Sequence, residues 1–143
     1  MVVSGIADVN EALRAIKARL DGHVATVFEE LARLYIRWLS SRGGLLRFDE
    51  LGRFMHRGGI EINLVAVDHT SKVAHLLEVK WSELDDSDAR RVARELAGKA
   101  RHIPLEGYDY RLYIVARRYT GTEPPEGGTR VIDLRDMPFQ QAA

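Results

Sequence analysis

The sequence predicts an α/β fold, a mixed central β-sheet flanked by helices in the order α-α-β-β-β-α-β-β, and three observations carry it. Helical stretches with apolar residues at three- and four-residue spacing open the chain and recur after the first strands. Two strand-like runs, Ile60–Val67 and Val73–Trp81, are joined by a short polar turn. Two further short strands follow the last helix, which suits a sheet with helices packed on it.

Taken in order, Val9–Leu20 reads as a short amphipathic helix (Val9, Leu13, Ile16, Leu20), capped by Asp8 and ended near Asp21-Gly22. Residues 23–41 form a longer helix with Val24, Val27, Phe28, Leu31, Leu34, Tyr35 and Trp38 on its inner stripe, closed by Ser41-Arg42-Gly43-Gly44. Leu45–His56 contains a strand that runs into the turn Arg57-Gly58-Gly59. The hairpin follows, with Asp68-His69-Thr70-Ser71-Lys72 as its turn. Asp85, Asp86, Ser87 and Asp88 offer N-caps for a helix to about Arg101, with Ala89, Val92, Ala93, Leu96 and Ala100 inward. Tyr110–Ala116 is a short buried strand, Thr120–Gly128 an exposed loop, and Thr129–Leu134 an edge or final strand. With 143 residues, 45% of them hydrophobic, there is chain for one well-cored domain, 1–143, and not for two.

The hairpin strands carry polar residues where buried strands are normally apolar, and such residues are costly to desolvate. Glu61 and Asn63 share a face of the first strand, and Glu78 and Lys80 share one of the second. A turn centred on Thr70-Ser71 pairs residues whose numbers sum to 141, so Asn63 faces Glu78 and Glu61 faces Lys80. A one-residue slip would undo both pairs. In that register four polar groups converge on one patch of sheet.

Metal-assisted attack on a phosphodiester fits such a patch. Mg²⁺, or Mn²⁺ in its place, takes one or two carboxylates together with waters and phosphate oxygens. Glu78 can supply one ligand and the Val79 carbonyl another, while the Lys80 ammonium can hold a water or stabilise charge on the phosphate. Only Lys17, Lys72, Lys80 and Lys99 of the 21 basic residues are lysines, so an arginine-preferring chain has placed a lysine here.

The run Glu61-Ile62-Asn63-Leu64-Val65-Ala66, followed by Leu77-Glu78-Val79-Lys80-Trp81-Ser82, resembles the core of the PD-(D/E)XK nuclease superfamily, in which an acidic residue on one strand precedes E-x-K on the next. The likeness is closest to the nuclease-like C-terminal domain of archaeal AAA-type ATPases and looser to archaeal Holliday-junction resolvases. Gly52-Arg53-Phe54 stands where the first of these has G-R-W. The resemblance spans residues 23–136 and leaves 1–22 as an N-terminal helical extension. It implies a restriction-endonuclease-like fold and Mg²⁺-dependent DNA endonuclease activity. Junction-cutting relatives usually pair as dimers, which makes a homodimer one expectation, and a chain without a phosphate-binding loop is expected to work either alone or with a separately encoded ATPase partner.

The departure from the family lies at Asn63, where the superfamily carries its metal-binding aspartate. Asparagine is otherwise found only at Asn10, so general usage does not account for it. An amide oxygen brings no charge to a cation. An engineered knock-out, a natural loss of catalysis and migration of the acid to Glu61 all remain open. The alternative function is a catalytically inactive PD-(D/E)XK-fold module that binds nucleic acid or regulates. The family also uses a glutamate on the helix before the sheet, and Phe28-Glu29 matches its F-E pair, making Glu29 the accessory carboxylate ahead of Glu30. The plainer readings are a solvated Glu29–Arg33–Arg37 ladder and a surface Glu61–Lys80 ion pair.

Net charge is zero, so no global attraction to a polyanion is built in. Arg90 to Arg118 nevertheless holds eight bases against three acids. Arg90, Arg94, Lys99 and Arg117 are therefore the candidate nucleic-acid contacts. A third reading, a dimerising scaffold, rests on the apolar content of the first two helices. Zero cysteines exclude disulfide scaffolds and Cys-based zinc sites, and the five scattered histidines show no ligand spacing. No run approaches a membrane span and the start lacks a signal peptide, so the expectation is a cytoplasmic protein without a membrane partner. Scarce Asn, Gln and Cys beside frequent Arg and Glu is compatible with a thermophile, as it is with high genomic GC content.

Overall fold

The computed structural model describes Glu11 and residues 24–42 and 46–138. The helix expected at Val9–Leu20 lies outside the described residues. Over the rest, the elements run α1 (Val24–Ser41), β1 (Glu50–His56), β2 (Ile60–Asp68), β3 (Val73–Leu84), α2 (Asp86–Ala100), β4 (Asp109–Tyr119) and β5 (Arg130–Asp133). The five strands make one sheet in chain order, β1-β2-β3-β4-β5. β1–β2 and β2–β3 are antiparallel, β3–β4 and β4–β5 parallel. The sheet is mixed because the β3–β4 connection passes through α2.

Each helix covers one face of this sheet. Phe28, Leu31, Tyr35 and Ile36 of α1 pack with Leu64, Leu77, Tyr113 and Val115. On the opposite face Leu96 and Ala100 of α2 meet Ile62, Ala74 and Leu76, while Ala89, Val92 and Ala93 meet Ile114 and Ala116. The five α2 residues expected inward are all buried. Asp85 caps α2 in a capping box, its carboxylate accepting the Asp88 N–H at 2.8 Å while the Asp88 carboxylate accepts the Asp85 N–H at 3.1 Å.

Leu34 departs from expectation, being 54% exposed. The α1 stripe runs through Phe28, Leu31, Ala32, Tyr35 and Ile36, and a 3.6-residue period leaves Leu34 outside that arc. β4 is longer than the predicted Tyr110–Ala116, because it follows β3 out to Leu84↔Tyr119. The exposed loop after it contains a 3₁₀ turn at Glu126–Gly128.

The turn sets the hairpin register. The Asp68 carboxylate accepts the N–H groups of Thr70 and Ser71, both at 3.1 Å, and an ion pair with Arg47 at 2.9 Å. Those N–H bonds, Ser71 first, outweigh burial and hold its carboxyl below the usual range. Lys72 completes the turn with φ of 55°. The ladder then pairs Asp68↔Val73 through Leu64↔Leu77, each pair summing to 141 as the sequence indicates.

Candidate active site

A β-bulge lies at the heart of the candidate site. From Gly52↔Val65 to Phe54↔Ile62, β1 advances by two residues (54 − 52) and β2 by three (65 − 62). Asn63 and Leu64 together therefore oppose Arg53. A bulge shifts the phase of the strand beyond it. Leu64 belongs to the core under α1, whereas Ile62, two residues away, belongs to the core under α2. Simple alternation would have put them on one face.

The bulge divides the patch of four. On the α2 side, Glu78 is buried and pairs through Oε2 with Lys99 Nζ at 2.9 Å and Lys80 Nζ at 3.7 Å. On the α1 side, Arg53 bridges Glu29 at 2.9 Å and Glu61 at 3.0 Å. Glu61 thus takes Arg53 as its partner, not Lys80, because the extra residue turned it away. Asn63 joins the halves: its Nδ2 donates to Glu29 Oε1 at 3.1 Å, and its Oδ1 accepts the Val79 N–H at 2.8 Å. That second bond takes over where the main-chain β2–β3 ladder has stopped.

Of the residues named from sequence, Glu78 and Lys80 come together, and Glu29, not Glu30, is the helix carboxylate that reaches Asn63. Glu29 pairs across to β1 and not along a ladder to Arg33. The four expected nucleic-acid contacts do not form one surface. Lys99 is engaged by Glu78. Arg117 lies over the Trp81 ring, 5.7 Å from its centroid, and Trp81 packs on the α1-side core. Arg90 and Arg94 line a small cavity beside α2. Arg53 was the residue missed as a functional partner; its place before Phe54, opposite the motif strand, was the available signal.

Glu29, Glu61 and Glu78 thus each face a cation supplied by the chain. Among the described residues, Glu78 Oε1 is the one side-chain polar atom buried without a hydrogen-bond partner. A single carboxylate oxygen beside two ammonium groups does not fit Mg²⁺ or Mn²⁺, which needs a site where negative charge prevails. The Asn63 amide, which would stand in the aspartate's place, is committed at both ends. Among the described residues no group of three or more His, Asp or Glu could hold a metal ion.

The family model described as archaea bacterial proteins of unknown function, DUF234, matches residues 4–92. The chain belongs to the DUF234 family. That match covers Glu29, Arg53, Asn63, Glu78 and Lys80, and stops before Lys99. An uncharacterized protein of Methanocaldococcus jannaschii, MJECL04, is 32% identical over 137 residues, which is 95% of this chain and 30% of the relative. The chain thus spans about a third or less of that curated relative's length. No solved structure matches the chain. No described helix is long and apolar enough to cross a membrane.

Proposed function

We propose that this DUF234 chain is a PD-(D/E)XK-type module that binds nucleic acid without cutting it. The observation that carries this reading is Asn63. Its amide donates to Glu29 and accepts from Val79, which a carboxylate could not do, so the residue links two elements where the superfamily holds a metal. Arg53, Lys80 and Lys99 complete the exchange by supplying the positive charge. Activity as a Mg²⁺-dependent endonuclease would require these pairs to open. Unpaired guanidinium groups on the second half of the chain support retention of a polyanion. Any nucleotide-driven work would fall to a separately encoded ATPase.

The test combines cleavage with binding. Labelled linear, single-stranded and four-way-junction DNA are incubated with the chain, with Asn63→Asp, and with Asn63→Asp combined with Lys80→Ala, in Mg²⁺ and in Mn²⁺. Salt-sensitive binding without cleavage by the unaltered chain is expected. Cleavage by the unaltered chain refutes the reading. Cleavage gained by Asn63→Asp and lost again without Lys80 identifies Asn63 as the silencing change.

A further inference from the structure

Three neighbouring cavities lie around the β4–β5 edge of the sheet. The first, about 270 Å³, lies between α2 and the Gly127 loop, with Leu112 in its wall. The second, about 230 Å³, shares Leu112 and Gly127 with the first and continues past the start of β4. The third, about 550 Å³, shares Tyr113 and Arg130 with the second and opens on the α1 side. Each neighbouring pair thus has two lining residues in common, so the three follow one another as a broken groove from the α2 face of the sheet to the α1 face.

Its charge is one-sided. Arg90, Arg94, Arg111, Arg130 and Arg42 line it in sequence, and Asp136 is the one acidic residue among the lining residues. None of these five guanidinium groups is ion-paired with a described residue, whereas Arg47, Arg53, Arg91 and Arg135 are. Arg90 and Arg94 stand one helical turn apart, about 6 Å along the axis. At the other end Arg42 lies over Trp38, 4.6 Å from the ring centroid, and Trp38 stacks on Tyr35. On the wall of the second cavity, Gly127 and Gly128 hold φ of 77° and 74°, and nothing lies within 4 Å of where their Cβ atoms would be. The rim there is bare backbone.

Spaced cations along a channel, with aromatic and guanidinium planes at one end, suit a flexible polyanion that carries flat groups. We infer that this groove, from Arg90 and Arg94 through Arg111 and Arg130 to Arg42 and Trp38, holds a single nucleic-acid strand by its phosphates. The inference rests on the proposed binding function and relocates it. Lys99 follows Arg90 by nine residues, which at about 100° per residue puts it on the opposite flank of α2. The strand therefore lies on the far side of that helix from Glu78 and Lys80.

The probe is labelled oligo-deoxythymidine, followed by fluorescence anisotropy across a salt series. The doubly altered Arg94→Glu, Arg130→Glu chain is compared with Arg57→Glu, an exposed change of the same sign in the β1–β2 turn. Intact folding of each is verified by its melting curve. Affinity is expected to fall at least about tenfold for the double variant, with a shallower salt slope, and to change little for Arg57→Glu. In a Trp81→Phe background, where Trp38 is the remaining tryptophan, the strand is expected to alter Trp38 fluorescence. Binding by the unaltered chain that survives Arg94→Glu, Arg130→Glu and leaves Trp38 silent overturns the groove while sparing the binding function. No binding by the unaltered chain overturns both. Equal affinity for duplex DNA overturns the single strand as the occupant.

Discussion

Replacing Asn63 by aspartate tests the account of the site most directly, through stability and not activity. The Asn63 Nδ2 lies 3.1 Å from Glu29 Oε1, so Asn63→Asp sets two carboxylates against each other with charge centres about 4 Å apart. Their repulsion is about 1 kcal/mol in water and about 4 kcal/mol near a protein surface. The lost bond to a charged acceptor adds about 1.5–3 kcal/mol. Two effects offset this: Arg53, 2.9 Å from the same Glu29 oxygen, and a stronger, charge-assisted bond from the Val79 N–H. A net loss of about 2 kcal/mol is expected, which lowers the melting temperature by about 6–8 °C in a domain of this size. The assay is thermal unfolding in EDTA at neutral pH, repeated with Mg²⁺. Mg²⁺ should recover part of the deficit in Asn63→Asp, since two adjacent carboxylates now welcome a cation, and should leave the unaltered chain's melting temperature unchanged. A variant that melts with the unaltered chain in EDTA refutes the Asn63–Glu29 contact. A rise on adding Mg²⁺ to the unaltered chain shows that its site takes the ion after all.

Further predictions concern the groups around the site and the sheet. Lys99→Met leaves the buried Glu78 carboxylate with only the more distant Lys80; a loss of about 2–3 kcal/mol by urea unfolding is expected, largely restored when Glu78→Gln is added. Burial, with Arg111 nearby, pushes the imidazole of His75 below its usual range. The stability this group contributes is complete above about pH 6.5 and falls as the unfolded chain takes up the proton, so His75→Gln should flatten that acid limb of the unfolding curve. Burial and the hydrogen bond to Asp86 push the Tyr119 hydroxyl up to about 12. Its contribution is therefore full below pH 10 and is lost as pH rises towards 12; burial also raises Tyr35 and Tyr113, so phenolate absorbance should show several late-titrating tyrosines, of which Tyr119→Phe removes one.

Much of the backbone was legible from sequence because its signals are local. Asp68 and the residues after it specify a turn through hydrogen bonds spanning two or three residues, and that turn places every pair from Asp68↔Val73 to Leu64↔Leu77. Asp85 caps α2, and the apolar spacing behind it selects the buried face without reference to the rest of the molecule. Glu29 was legible as well, through the likeness of Phe28-Glu29 to the F-E pair of the nuclease superfamily.

The site's chemistry was decided at longer range. A bulge is a count of residues between two strands, so neither β1 nor β2 shows it alone. Yet it separates Glu61 from Lys80 and brings Arg53 between Glu29 and Glu61. The local sequence likewise made Lys99 a contact for phosphates, and only the packing of α2 on β3 turned it inward onto Glu78. Arg90, Arg94, Arg111, Arg130 and Arg42 come from three separate elements and a helix end, and the parallel β4–β5 edge is what brings them to one side of the sheet. The sequence by itself determined the elements, the hairpin register and the residue types available for chemistry, because turn bonds and periodic burial act over a few residues. Tertiary structure decided which charge faces which, because those pairings depend on phase and packing between segments far apart in the chain.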